Sequence, residues 1–483
     1  MLLNKLIFRN TLWLSFSFLL TRGLSVIWNV LLAKFFALKV LELSIYMYIL
    51  TQYAIFSILV EGNISYSLQH YIAKADLDKN KAFNKYWSLS FYVRLLLGII
   101  FSITLYATIV YQYPKQELEA LLASTALFFF GVGSSSVGIY IAFNDFKLQI
   151  RSYLINSITF TLGAIIVVLN VQNIISVLTV LIFSNFLGAL YSLGYTIKEY
   201  KLPNIFSISF NELKTIIVFS APLLVGSFCF TFYYRSDINT IAKIGTPEEV
   251  TNLSFALMFF FLIGDLIWSQ LAAAITPSLI RSWAQSFKGR RDSMADLSHI
   301  LRIYSLITII LIIGIHLMGP TLIDLLFGTN THYFEILPLL SSLLLGLPFM
   351  VAYAFLYRIF LIQNTSIKFA LYSILFTIIK FFTFKSIIQF FSLEVATTIS
   401  GLIMILVFLS FILFMKSIKP FRNNLIKILF SMTIPFFLMM GFKYYIKIST
   451  INIKLILFCF GLLLFEVIRT YPSFNFFFNR KNK

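Results

Sequence analysis

Runs of about 20 apolar residues recur from one end of the chain to the other, and no other feature of the sequence constrains its fold as strongly. A run of that length crosses the roughly 30 Å hydrocarbon layer of a bilayer as an α-helix. Apolar residues make up 59% of the 483 residues, and charged residues only 12%. A soluble protein of this length could not keep so much apolar surface away from water. The sequence therefore predicts an all-α polytopic membrane protein.

Hydropathy divides the chain into about fourteen predicted transmembrane helices. They cover residues 11–36, 43–69, 87–110, 118–142, 152–169, 174–195, 215–244, 251–276, 303–323, 336–362, 369–388, 395–415, 428–442 and 455–468. The eleventh span contains Lys380 and Lys385, and the thirteenth is short and contains Pro435. The loops between the spans are too short to form a soluble domain. We therefore expect the protein to act within the membrane.

The distribution of Lys and Arg predicts the orientation of these spans. If the N-terminus is cytosolic, the cytosolic segments hold 25 of the 38 basic residues, the outer loops hold five and the spans hold eight. Basic residues concentrate in the cytosolic loops of membrane proteins, so this bias predicts cytosolic N- and C-termini. The net charge of +19 is scattered in short clusters between apolar runs. That arrangement is typical of membrane orientation and argues against a nucleic-acid partner.

Motifs of common catalytic and nucleotide-binding sites are not found. The sequence has no Walker A loop, no His-Glu pair at zinc spacing and no nucleophile elbow. Cys229 and Cys459 both lie within apolar runs, and we interpret them as core residues. We therefore expect no enzymatic activity, no cofactor and no metal site.

Charged residues within the predicted spans are candidates for function, because a charge near the bilayer centre costs at least roughly 2.5–3.5 kcal/mol. Eight of them are basic and four are acidic: Arg22, Lys34, Glu61, Arg94, Arg235, Asp237, Lys243, Asp265, Arg358, Lys380, Lys385 and Glu466. The basic excess predicts a cavity that attracts an anion. Arg22, Arg235 and Arg358 lie well inside their spans and form the predicted anion-binding set.

Several of these charges also have structural interpretations. Lys34, Lys243 and Lys385 lie near span ends, where a long side chain can extend to the membrane surface. Arg235 and Asp237 are two residues apart and point to different helix faces, so each requires another partner. For these two, as for Arg22, Glu61 and Asp265, structural and functional interpretations remain open.

A weak internal repeat suggests how the spans are arranged. Ala33-Lys34 ends the first span and Ala242-Lys243 ends the seventh, about 209 residues later. Six spans separate these positions, so both halves would begin on the same side of the membrane. Transporters built from such parallel repeats place their substrate site between the halves.

Three stretches of the sequence resemble the Wzx-type polysaccharide flippases of the multidrug/oligosaccharidyl-lipid/polysaccharide exporter superfamily. The first begins at Leu32-Ala33-Lys34-Phe35-Phe36 and continues with Tyr46, Glu61-Gly62 and Tyr71-Ile72-Ala73-Lys74. In that family the opening reads Ala-Arg-x-Leu-Gly, so Lys34 replaces the arginine here and the Leu-Gly is missing. The second is Tyr234-Arg235-Ser236-Asp237 followed by Pro277, and the third is Leu325-Leu326-Phe327-Gly328 followed by Tyr333 and Leu337-Pro338.

The resemblance implies two six-helix lobes around a central cationic cavity, followed by two more helices. The N-terminal lobe would comprise residues 1–200, the C-terminal lobe 201–420, and the appended helices and cytosolic tail 421–483. It also implies a location in the bacterial inner membrane, surrounded by membrane lipids. The substrate of that family is an undecaprenyl-pyrophosphate-linked oligosaccharide, as used for O-antigen and related polysaccharides.

Residue roles follow from that implied substrate. Arg and Lys can hold a pyrophosphate through charge-assisted hydrogen bonds, which gives Arg22, Arg235, Arg358, Lys34 and Lys380 as candidate substrate-binding residues. An H⁺ or Na⁺ gradient would drive transport, because no nucleotide site is present. The candidate ion-coupling residues are Glu61, Asp237 and Asp265.

Two other functions within the same superfamily are compatible with the sequence. A lipid II flippase would share the cationic cavity. A multidrug/cation antiporter would need an acidic or neutral cavity, which the basic excess disfavours. A membrane polymerase or ligase, which belongs to a different class, would need a large outer loop, and none is predicted.

Overall fold

We describe the chain from a computed structural model that covers residue 16, residues 20–264 apart from short gaps at 22, 35–38, 76, 144, 171–172, 201 and 205–207, parts of 314–347, and residues 366–414. The regular elements within these described ranges are α-helices joined by short turns, and the ranges contain no β-strand. The all-α fold class is therefore confirmed for this part of the chain.

Fourteen helical segments can be numbered in chain order within the described residues. They are α1 (Gly23–Lys34), α2 (Val40–Glu61), α3 (Ile64–Ala75), α4 (Lys79–Gln112), α5 (Glu117–Gly133), α6 (Val137–Ala142), α7 (Lys147–Asn170), α8 (Ile174–Tyr200), α9 (Phe210–Ile244), α10 (247–264), α11 (319–327), α12 (Ile336–Leu344), α13 (Ser366–Ile387) and α14 (Leu393–Phe414).

Six of these helical stretches are long and apolar enough to cross a membrane, and they confirm predicted spans. The first stretch, Val40–Ile72, comprises α2 and most of α3. The next four are the helices α4, α7, α8 and α9, and the sixth is Ile367–Ile387 within α13. The last matches the predicted span 369–388, which contains two lysines. The predicted spans 428–442 and 455–468 lie outside the described residues.

Helix α4 is longer than the sequence predicted, since it begins at Lys79 rather than at residue 87. Its first turn is stabilised by Asp78, whose side chain accepts a hydrogen bond of 2.8 Å from the backbone N–H of Lys81. Such a side chain at the N-cap satisfies a donor that the helix itself leaves unpaired. The same hydrogen bond, together with the Lys81 side chain, lowers the pKa of Asp78.

Helices α2 to α8 pack together in what we call the N-terminal helix group. Within it, α5 packs against α4 and α8, α7 packs against α8, and α2 packs against α4 and α5. Helix α1 joins this group through Trp28, whose indole N–H donates to the Tyr46 hydroxyl at 3.3 Å and whose ring meets Phe160 edge to face.

Two helix breaks interrupt the N-terminal helix group. Between α2 and α3, Gly62 and Asn63 both adopt left-handed backbone conformations, with φ of 59° and 51°. Glycine takes this conformation without a steric penalty, and asparagine tolerates it better than most residues. Between α5 and α6, residues Ser134 to Ser136 form a turn that divides the predicted span 118–142 into two helices.

Helices α9, α12, α13 and α14 form a second set, which we call the C-terminal helix group. Here α9 packs along α13, α12 packs against α14, and α13 also contacts α14. Helix α9 additionally contacts α2 and α3, so within the described ranges the two groups meet along α9.

Candidate functional site

A buried ion pair joins helices α9 and α13 of the C-terminal helix group. The Lys380 ammonium in α13 donates to the Asp237 carboxylate in α9, and the two side chains are only 1% and 4% exposed. The same ammonium donates to the backbone carbonyl of Tyr233 and lies 3.4 Å from the Ser236 hydroxyl. Asp237 thus has the separate partner that its spacing from Arg235 requires, and that partner is 143 residues away.

Aromatic rings and hydroxyl groups complete the surroundings of this pair. The Lys380 ammonium lies 5.0 Å from the centre of the Tyr233 ring and 5.1 Å from that of Phe384. These are distances at which a cation is attracted to a ring face. Tyr233 is itself fixed, because its hydroxyl donates to the Ser400 carbonyl in α14 at 2.9 Å.

A small cavity of about 10 Å³ adjoins the ion pair. It is lined by Tyr233, Tyr234, Asp237, Leu343, Gly346, Lys380, Thr397, Ser400 and Gly401. Two lining hydroxyls, those of Tyr234 and Ser400, are buried and have no hydrogen-bond partner within the described part of the chain. A buried polar group without a partner is uncommon in folded proteins, so the cavity has unused capacity to hold a polar ligand.

Arg235 contacts an aromatic ring of α10. Its guanidinium carbon lies 4.9 Å from the centre of the Phe261 ring in α10, and its side chain is half-buried. One helical turn further, Asn239 accepts a hydrogen bond from Gln52 of α2. Residues four apart share a helix face, so Arg235 lies on the side of α9 that turns toward the N-terminal helix group.

A second buried charge, Arg94, lies in the N-terminal helix group. Its side chain is fully buried and interacts electrostatically with Glu61 at the end of α2. One guanidinium nitrogen donates to the Ser134 carbonyl in the break between α5 and α6. The other donates to the Ser65 hydroxyl at 2.5 Å, just after the break between α2 and α3. Arg94 therefore connects both helix breaks.

The remaining candidate residues are either exposed or outside the described part of the chain. Lys34 is the exposed last residue of α1. Arg22, Arg358 and Asp265 lie outside the described residues. Within the described ranges, no group of three or more His, Cys, Asp or Glu side chains is placed to hold a metal ion.

Neutral hydrogen bonds line the contact between α9 and the α2–α3 stretch, which we call the inter-group seam. Gln52 donates to Asn239, Asn63 donates to Ser227 at 2.9 Å, and the hydroxyls of Ser67 and Ser220 are 2.6 Å apart. The His70 ring stacks on Phe219 with centroids 4.6 Å apart. None of these seam contacts is an ion pair.

Further contacts between the two halves of the chain lie near helix ends. The Tyr333 hydroxyl donates to the Ala33 carbonyl at 3.2 Å, and Gln112 donates to the Ala242 carbonyl at 3.1 Å. Lys85 of α4 pairs with Glu212 of α9 at 3.0 Å. Contacts between the halves therefore occur at both ends of α4 and α9.

Sequence reasoning did not identify the joining role of Arg94 or the two unpartnered hydroxyls. The sequence does indicate that Arg94 is unusual, because it is an arginine inside an apolar span. The Tyr234 and Ser400 hydroxyls carry no such signal, since their lack of partners among the described residues depends on how α9, α12 and α14 pack.

Comparison with known proteins gives a family and a fold. The family model described as "Polysaccharide biosynthesis protein" matches residues 7–283, which is more than half of the chain. A comparison with curated protein sequences finds no significant match.

Several solved structures share the fold at low sequence identity. A structure titled "Lipid II flippase MurJ, inward closed conformation" has a TM-score of 0.65 and 18% identity, covering 95% of this chain and 99% of its own. A Vibrio cholerae MATE transporter in the bent form has a TM-score of 0.59 and 13% identity, covering 87% and 98%. An outward-facing MATE family transporter of the MOP superfamily has a TM-score of 0.58 and 15% identity, covering 88% and 97%.

Proposed function

Since this chain belongs to the polysaccharide biosynthesis protein family, we propose that it is a flippase for a lipid-linked oligosaccharide. The substrate is an undecaprenyl-pyrophosphate-linked repeat unit, moved across the bacterial inner membrane to supply O-antigen or a related surface polysaccharide. The family match carries this proposal. It is supported by the fold shared with the lipid II flippase structure and by the basic excess within the spans.

The physical task of such a protein is to keep a charged head group out of hydrocarbon. A pyrophosphate and its sugars would lose their hydration at prohibitive cost if they crossed the bilayer unaided. Arginines provide planar, paired donors that suit phosphate oxygens. We assign this role to Arg22, Arg235 and Arg358, with Lys34 as a further cation, while the prenyl tail stays in lipid. The position of Arg235 on the side of α9 near the seam supports its inclusion.

Alternating access requires the two halves to separate and rejoin, and the inter-group seam suits this. Its hydrogen bonds join neutral side chains, so breaking them leaves no bare charge and water can replace each partner. The Lys85–Glu212 ion pair between α4 and α9 is partly exposed, so water can solvate both charges when it breaks. In this proposal residues 1–200 and 201–420 are the two moving lobes, and residues 421–483 follow them. The N- and C-termini are cytosolic.

An ion gradient provides the energy in this proposal, with H⁺ or Na⁺ as the coupling ion. Glu61, Asp237 and Asp265 are the candidate coupling carboxylates. Lys380 donates to Asp237 and is 1% exposed, so we now assign it to the coupling site rather than to the substrate cavity.

A lipid II flippase is the second candidate, favoured by the structure with a TM-score of 0.65. Both substrates have a prenyl pyrophosphate, so the two candidates differ in the head group that is attached to it. A multidrug/cation antiporter shares the fold, but the basic excess does not suit a cationic substrate.

Transport into proteoliposomes tests the proposal and separates these candidates. The purified chain would be reconstituted with fluorescent undecaprenyl-pyrophosphate oligosaccharide, with fluorescent lipid II, or with a cationic dye. We expect ion-gradient-dependent movement of the first substrate, and little movement of the other two. Movement of lipid II alone would support the second candidate, and movement of the dye alone would contradict both flippase functions.

A further inference from the structure

The surroundings of the Lys380 ammonium have the chemistry of a cation site. Its three oxygen partners are the Asp237 carboxylate, the Tyr233 carbonyl and the Ser236 hydroxyl, which all belong to one stretch of α9. Carboxylate and carbonyl oxygens are the ligands that hard metal cations prefer in proteins. We call these three oxygens the cation cage. The lysine whose ammonium occupies the cage comes from a different helix, α13.

The cage also extends beyond what the ammonium uses. The adjoining cavity of about 10 Å³ has room on the order of one water molecule. Two of its lining hydroxyls have no partner among the residues that the structure describes, and both residues are well buried, with Tyr234 4% exposed and Ser400 5% exposed. These two hydroxyls could therefore serve as additional ligands for a free cation, beside the three oxygens that hold the ammonium.

The charges explain why the wild-type site would not take a free cation. Asp237 contributes one negative charge and Lys380 one positive charge, so the pair is neutral. A second cation placed there would be repelled by the ammonium at close range. Removing the ammonium would leave a buried carboxylate without a partner, which is strongly unfavourable unless another cation replaces it.

We propose that the C-terminal helix group contains a monovalent-cation site that the chain fills with its own Lys380 ammonium. Shortening Lys380 empties the cage and converts it into a site for Na⁺. A consequence, which rests on the proposed transport function, is that the ion acting at Asp237 in the wild-type protein is not Na⁺.

Binding of ²²Na⁺ to the purified full-length protein in detergent tests this without any lipid substrate. We expect Lys380→Met to bind ²²Na⁺ at least about tenfold more tightly than wild type, a gain of about 1.4 kcal/mol. The double variant Lys380→Met/Asp237→Asn should lose that binding, because the carboxylate is gone. Lys385→Met is the matched control, since it removes an exposed lysine from the same helix and should behave as wild type.

Several outcomes would overturn the proposal. One is a folded Lys380→Met protein that binds no more ²²Na⁺ than wild type, and another is wild type that already binds it as tightly as the variant. If Lys380→Met is not recovered, Lys380→Gln replaces it. Failure to recover any Lys380 variant from cells grown and extracted in high Na⁺ would also count against the proposal. A protein that moves no lipid-linked oligosaccharide could still pass this binding test, so failure of the flippase function is distinguishable.

Discussion

The Asn63 side chain donates a hydrogen bond of 2.9 Å to the Ser227 hydroxyl, 164 residues further along the chain. Asn63 lies in the break between α2 and α3, and Ser227 lies in the middle of α9. This contact is one of a series along the inter-group seam, with Gln52–Asn239 on one side of it and Ser67–Ser220 on the other. A seam of this kind keeps the two helix groups together without the cost of burying charges.

Cross-linking the seam should therefore stop transport. Ser67 and Ser220 have hydroxyl oxygens 2.6 Å apart, which suits replacement of both residues by cysteine. In a background lacking Cys229 and Cys459, we expect Ser67→Cys/Ser220→Cys to form a disulfide on oxidation and lose transport, and to regain it on reduction. Transport by the oxidised and reduced protein in proteoliposomes is the measurement.

A matched pair within one helix group provides the control for cross-linking. Asn156 of α7 and Asn185 of α8 have side chains 2.6 Å apart, and both belong to the N-terminal helix group. Their double cysteine variant should cross-link without loss of transport. Full transport by the oxidised Ser67–Ser220 pair would show that the seam does not open.

The sequence predicted the helices better than it predicted their interruptions. Length and hydropathy are enough to locate a span such as 215–244, because the bilayer sets how many apolar residues are needed. The break at Ser134 to Ser136 was not predicted, since serine alone does not end a helix. It depends on α4, from which Ser90 and Arg94 donate to the freed Ser135 and Ser134 carbonyls.

The family was predictable from local motifs, and the geometry of the site was not. The resemblance drawn from Glu61-Gly62 and Tyr234-Arg235-Ser236-Asp237 is confirmed by the family match over residues 7–283. The spacing of Arg235 and Asp237 correctly predicted that Asp237 needs another partner. Which residue it would be depends on how α9 packs against α13, and sequence periodicity contains no information about that contact.

Arg94 should be essential for stability. Arg94→Met leaves the Ser134 carbonyl and Glu61 without their partner, and loss of one member of a buried charge network costs about 3–5 kcal/mol. Arg94→Lys should cost less, although an ammonium cannot reach both Ser134 and Ser65 as the guanidinium does. Thermal unfolding in detergent measures the effect. The control is Lys81→Met, which removes an exposed charge from the same helix. Equal stability of Arg94→Met and Lys81→Met would refute the stabilising role of Arg94.

Reporter fusions that fluoresce only in the cytosol test the proposed orientation. They should be bright after residues 80, 290 and 421, and dark after residues 114, 247 and 330. Positions 80 and 114 are especially informative, because position 80 lies in the first turn of α4, position 114 follows its end, and α4 is long enough to cross the bilayer. A bright signal at 247 together with a dark one at 290 would reverse the orientation.

Arg22→Ala, Arg235→Ala and Arg358→Ala should reduce surface polysaccharide while membrane abundance stays near normal. Each lost charge-assisted hydrogen bond contributes about 1.5–3 kcal/mol, which corresponds to roughly a tenfold or larger loss of flux. Lysine at these positions should retain part of the function. Abundance and polysaccharide would be measured in the same strains, with exposed Arg151→Ala as control. Undiminished polysaccharide in all three alanine variants at normal abundance would exclude this anion-binding set.

The Asp237–Lys380 pair should behave as one energetic unit. In Na⁺-free detergent solution, Asp237→Asn leaves a buried ammonium without its partner, and Lys380→Met leaves a buried carboxylate. Each should lower the free energy of unfolding by about 3–5 kcal/mol. The double variant buries no charge, so its loss of unfolding free energy should be smaller than the sum of the two single-variant losses by more than about 1 kcal/mol.

A double-mutant cycle on thermal or denaturant unfolding measures this coupling. Lys85 and Glu212 provide the comparison, since they also pair across helices at 3.0 Å but are 43% and 31% exposed. Water screens that pair, so its coupling should be only about 0.2–1 kcal/mol. If the two cycles give the same small value, Asp237 and Lys380 are not held together in a buried site, and the cation cage built around them would be excluded as well.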